Sequence, residues 1–151
     1  MILEAVIVEE EVRHVLAGLL GQTISLSHCN AVDLHPQTRR GLLTDNNALV
    51  GVIGGDLAFA HNAGAALAMV PKAQVEAAGT TPDEELMEFY IEVANVLSRL
   101  VNEAGPTHIR IDPGLEISGE LFDGAIARSS LHAHTVDIDG YGPGNVGFWL
   151  L

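Results

Sequence analysis

Between Pro82 and Glu103, Glu85, Glu88, Glu92, Asn95, Arg99 and Asn102 recur at three- or four-residue steps, and on a helix such residues share one face. Glu92 and Asn95 carry the most chemistry. One turn apart, a carboxylate and a carboxamide project side by side from a rigid support, so that one can hold a cation while the other orients a water. Neither is a nucleophile in this setting. The same spacing also describes an ordinary solvated helix face, because Glu and Asn are common surface residues.

Other groups offer less. His132-Ala133-His134 places two imidazoles on one face of a strand, a spacing that binds zinc or copper when a third ligand approaches. Asp137 and Asp139 are near in sequence, but no cysteine pair or His-Glu-x-x-His pattern accompanies them, and no metal site is expected. Cys29 follows His28 with no third group to activate the thiol, which fits a small buried or half-buried cysteine. Gly51 to Gly55 lacks the Gly-Lys-Ser/Thr of a phosphate-binding loop and reads as a turn. Ser129-Ser130 forms no nucleophile elbow. Arg39-Arg40 and Lys72 are too few for a polyanion site.

The element that must position Glu92 and Asn95 is the best specified of the chain. Thr81 as N-cap, Pro82 at the first helical position and Glu84 at the third predict a capping box, with Asp83, Glu84 and Glu85 where the helix dipole favours negative charge. The helix is expected to run from Pro82 to Glu103, stopped by Gly105-Pro106. Its stripe of Leu86, Phe89, Tyr90, Val93, Val96, Leu97, Leu100 and Val101 faces the core. Upstream, the pattern predicts a helix over Glu9–Leu20 ended by Gly21, and a short strand near Gln22–Leu26. Two strands follow between Arg39 and His61, the second being Leu57–His61, with Asp45-Asn46-Asn47 as a competing turn. A helix over Ala63–Ala77 is broken or kinked by Pro71. From Thr107 on the chain is strand-like: His108–Ile111 before Pro113, then Ala125–Ile138 with partial alternation, a turn at Gly140–Gly144, and a last strand Val146–Leu151 stitched into a sheet because Phe148-Trp149-Leu150-Leu151 would not hang free in water.

Composition bounds the rest. The 151 residues suit one domain, 1–151, and 48% hydrophobic against 18% charged residues excludes general disorder. Seven Lys and Arg against 20 Asp and Glu leave a net charge of −13, which counts against nucleic acid and against an anionic membrane surface. One cysteine makes no intrachain disulfide. No export signal is read in MILEAVIVEEEVRHVL, and no run is apolar enough to span a bilayer. A cytoplasmic protein is expected.

The segment Glu92-Val93-Ala94-Asn95 resembles the Glu-x-x-Asn signature of the CheC/CheX/FliY chemotaxis phosphatases, with CheX nearest in length. The likeness extends along the order of elements: an N-terminal helix, Gly54-Gly55-Asp56-Leu57-Ala58-Phe59, an alanine-rich helix, the signature helix, then Ile111-Asp112-Pro113 and Ile117-Ser118-Gly119 before a C-terminal hairpin. It implies an α+β fold, a CheX-like long helix packed on a largely antiparallel sheet, and a homodimer, for which the apolar last strand suits pairing across an edge. It implies docking of the helix on a phosphorylated CheY-like receiver domain, with Asn95 orienting the attacking water and Glu92 pairing with the receiver's lysine. The chain needs no cofactor of its own, since Mg²⁺ comes with the receiver. Two positions depart from the pattern: Glu88 stands where Asp or Ser is usual, and Val96-Leu97-Ser98-Arg99 where small residues are usual. Glu88 and Arg99 are therefore candidate partner-binding residues, and the alternative function is a degenerate domain that binds a response regulator or other signalling partner without catalysis.

Overall fold

A computed structural model of the protein describes residues 7–104 and 108–151, with side chains excepted at 102–104 and 112–116. The element order is α1 (Glu9–Leu20), β1 (Ile24–His28), a 3-10 turn (Ala31–Asp33), β2 (Thr38–Thr44), β3 (Leu49–Gly55), α2 (Leu57–Ala68), α3 (Lys72–Ala78), α4 (Glu84–Ala104), β4 (Ile109–Glu116), α5 (Gly119–Ile126), β5 (Ser130–Ile138) and β6 (Gly142–Leu150). The strands form one six-stranded sheet in the order β1-β5-β6-β3-β2-β4. Every neighbouring pair is antiparallel.

α1 follows its sequence pattern. Glu9, Glu10 and Glu11 occupy the first turn, Val12, Leu16 and Leu20 are buried on one side, and Gly21 closes the helix at φ 67°, a left-handed value that glycine adopts without strain.

The hairpin differs from expectation. The turn between β2 and β3 is the Asp45-Asn46-Asn47 one, where Asn47 has φ 63° and Thr44 Oγ1 accepts the Ala48 amide at 3.1 Å. Leu57–His61, read as strand, is instead the start of α2, because Asp56 Oδ1 accepts the Phe59 N–H at 2.8 Å and caps a helix there. The single helix expected over Ala63–Ala77 is two, divided at Met69 (φ 60°) and Pro71. The long helix starts one turn's fraction later than its predicted capping box, since the carboxylate of Asp83, rather than Thr81, accepts the Leu86 N–H at 3.0 Å. Its expected stop at Gly105-Pro106 lies outside the described residues.

The segment after Thr107 also holds a helix, which takes Ala125-Ile126 from the strand expected over Ala125–Ile138. Ser118 Oγ accepts the Leu121 N–H at 3.2 Å and starts α5, the same local capping chemistry that the alternating pattern around it obscures. β4 runs through Pro113, which a sheet tolerates here because β4 is an edge strand whose pairing with β2 is irregular at this point.

Two cores lie on the two faces of the sheet. On one, α1, α2 and α4 enclose Leu16, Ile53, Phe59, Tyr90, Leu97, Val136 and Phe148. The other is smaller, with Cys29, Leu34, Val52, Phe122 and Trp149 beneath α5, and Phe122 meets Trp149 edge to face at 4.9 Å. β6, the expected last strand, is hydrogen-bonded on both sides, to β5 and β3. It is therefore closed to pairing with another chain, and any partner that extends the sheet must use β1 or β4.

Candidate functional site

The long helix α4 presents its two stripes as the sequence arranges them. Leu86, Tyr90, Val93, Leu97, Leu100 and Val101 are buried. Glu85, Glu88, Glu92, Asn95 and Arg99 are exposed, so the carboxylate, the carboxamide and the guanidinium stand along one open face. The side chain of Asn102 lies outside the described residues. Phe89 and Val96 are partly buried at the stripe's margin.

Three contacts fix α4 on the fold. At its start, His61 of α2 accepts the Asp83 N–H on Nε2 at 3.0 Å, which satisfies a helix-end donor from outside the helix. Acceptance on Nε2 requires a neutral ring, and burial of His61 pushes its pKa down, against the opposing pull of Asp83. One turn further, Gly64 lets the two helices touch, since a Cβ there would sit 2.2 Å from the Leu86 carbonyl oxygen. Tyr90 then anchors the middle of the helix to the sheet. Its hydroxyl lies 3.0 Å from Thr38 Oγ1, which in turn accepts the Gly55 N–H at 3.1 Å, and its ring meets Phe59 at 6.0 Å and 89°. These supports are all on the buried side, so the exposed side has a rigid backbone beneath it.

Ser98 is buried and donates to the Asn95 carbonyl at 2.6 Å. This bond engages the backbone of Asn95, whose side chain makes no hydrogen bond among the described residues.

The remaining candidates are placed apart from this face. His132 and His134 share the side of β5 that carries Val136 and Ile138 into the larger core, and His28 is paired opposite His134. His134 is 7% exposed and its Nε2 is buried without a hydrogen-bond partner. Burial is the largest influence on it and lowers its pKa, with Glu9 opposing and His132 and His28 adding to the shift. Among the described residues no three His, Cys, Asp or Glu side chains are grouped to hold a metal ion. Cys29 is buried and its thiol pKa is raised, chiefly by that burial, the opposite of activation. No described helix is long and apolar enough to cross a membrane.

Sequence reasoning found the exposed stripe but missed His61 and Gly64. Gly64 was visible as the one glycine of an alanine-rich helix, a sign of close backbone approach. His61 had no local signal, because its partner is 22 residues away.

The long helix on a six-stranded antiparallel sheet is a fold this chain shares with solved structures of a CheX complex and of the FliM middle domain. A chain of the CheX–CheY–BeF₃–Mg²⁺ complex from Borrelia burgdorferi superposes with a TM-score of 0.54 at 16% identity, covering 93% of each chain. The FliM middle domain from H. pylori gives 0.56 at 11% identity, over 93% of this chain and 83% of its own, and a chain of the H. pylori FliM–SpeE complex gives 0.58 at 8%, over 93% and 80%. At such identities the likeness is one of fold. No protein-family model matches the chain, and no curated protein matches it in sequence.

Proposed function

We propose that this protein docks the exposed face of α4 on a phosphorylated CheY-like receiver domain and stimulates its dephosphorylation. The observation that carries this reading is the placement of Glu92 and Asn95. They are exposed, one turn apart, at the middle of a helix braced from behind, in a fold shared with a CheX that was crystallised with CheY. In the proposed complex Asn95 accepts from the attacking water and donates to a phosphoryl oxygen, and Glu92 pairs with a lysine of the receiver. The Mg²⁺ and the acyl phosphate belong to the receiver. The helix therefore has only to place a water, and placement alone is worth several kcal/mol of a barrier.

Glu88 and Arg99 favour a second reading, an adaptor that binds a receiver without catalysis, because both are bulky charged residues at the docking face. Titration of a phosphorylated receiver with the full chain, following complex formation and phosphate release together, decides between the two. Binding with faster release supports the phosphatase. Binding with unchanged release leaves the adaptor, and an absence of binding to any receiver of the same genome rejects both.

A further inference from the structure

The proposed site places a carboxylate where an anion must dock. Glu85, Glu88 and Glu92 line the stripe before Asn95, and a phosphoryl group approaching the carboxamide meets their combined negative potential on a chain already at −13. Arg99 is the only basic residue of α4. It lies one turn past Asn95 on the same side, so the two Cβ atoms are about 5–6 Å apart. It is exposed and has no hydrogen-bond or ion-pair partner among the described residues. The helix dipole does not account for it, since Arg99 precedes the helix end at Ala104 by more than one turn and the dipole's influence fades within the last turn.

We propose that Arg99 contacts the phosphoryl group itself, its guanidinium donating to a non-bridging oxygen of the receiver's acyl phosphate while Asn95 holds the water. This rests on the docking reading above. The planar fork of donors matches phosphate oxygens two at a time, and the charge offsets Glu92 where negative charge builds up during transfer. In the step itself, the water oxygen bonds to phosphorus and the bond from phosphorus to the aspartyl oxygen breaks. The electron pair stays on the carboxylate, and both protons of the water leave on dihydrogen phosphate. Arg99 exchanges no proton. Val96, Leu97 and Ser98, which fill the turn between the two residues, then form the supporting wall: Leu97 and Ser98 are buried and Val96 is partly so.

The test compares the parent chain with R99A, R99K and N95A on CheY-like receivers of the same genome charged with acetyl phosphate, with kcat and KM for phosphate release measured separately. R99A is expected to lower kcat about 10–100-fold, the worth of one charge-assisted hydrogen bond, with KM little changed. R99K should fall between R99A and the parent, because ammonium restores the charge without the fork, and added guanidinium should recover part of the R99A loss. A parent that accelerates release while R99A matches it, or R99A loss confined to KM and fully restored by R99K, overturns the phosphoryl contact alone. A parent no faster than N95A on every receiver overturns the docking reading, and this contact with it.

Discussion

His61 does for α4 what the residues of that helix cannot, accepting the Asp83 amide from the neighbouring α2. It can do so only while neutral. Burial lowers the pKa of His61 and of His134 below the ordinary histidine value, so as pH falls the unfolded chain takes up protons before the folded one. Their contribution to stability is therefore complete above about pH 6.5, declines below it, and is lost as pH falls through the folded pKa values. Urea midpoints measured from about pH 7.5 down to about pH 5 should fall with pH, and His61→Gln, which keeps an acceptor but does not titrate, should flatten part of that fall. An unchanged slope in the variant means that His61 charges freely in the fold. Asn95 stands in contrast: it is exposed, and its side chain makes no hydrogen bond among the described residues.

At the scale of elements, the placement of α4 depends on its crossing with α2. Gly64→Ala puts a methyl carbon 2.2 Å from the Leu86 oxygen, a backbone clash that no side-chain rotation relieves. The expected cost is roughly 3 kcal/mol, measured as a lower denaturation midpoint. Stability equal to the parent would mean that the helices do not cross at Gly64. Much of this arrangement could be read beforehand. α1 and α4 announce themselves through long periodic stripes and terminal carboxylates or glycine, and the exposed stripe of Glu88, Glu92, Asn95 and Arg99 follows from them, whereas the α+β class is what the resemblance of the whole element order implies. The failures occurred where tertiary position or a side-chain cap overrules local pattern. Leu57–His61 has the composition of a strand, yet Asp56 turns it into a helix, and Ser118 caps a helix over Gly119–Ile126 that no helical pattern announced. The apolar ending of the chain identified a sheet strand but not its central place between β5 and β3, because neighbours in a sheet are fixed by contacts far apart in sequence.

For the whole molecule, β6 belongs to both cores: Phe148 enters the larger one and Trp149 the smaller. A strand shared in this way couples the two faces. Loss of Trp149 fluorescence, the signal of the single tryptophan, and loss of far-ultraviolet helical signal should share one denaturant midpoint. Separate midpoints would show that the face under α5 melts apart from the rest. The functional claim also belongs at this scale, since it concerns how one folded chain acts on another. Its most direct test is the rate of phosphate release from a phosphorylated CheY-like receiver with the parent chain and with Asn95→Ala, alongside a binding measurement for both. Acceleration by the parent, a loss of about 100-fold in the variant and unchanged binding are the predicted results. Equal release rates for parent and variant contradict the account.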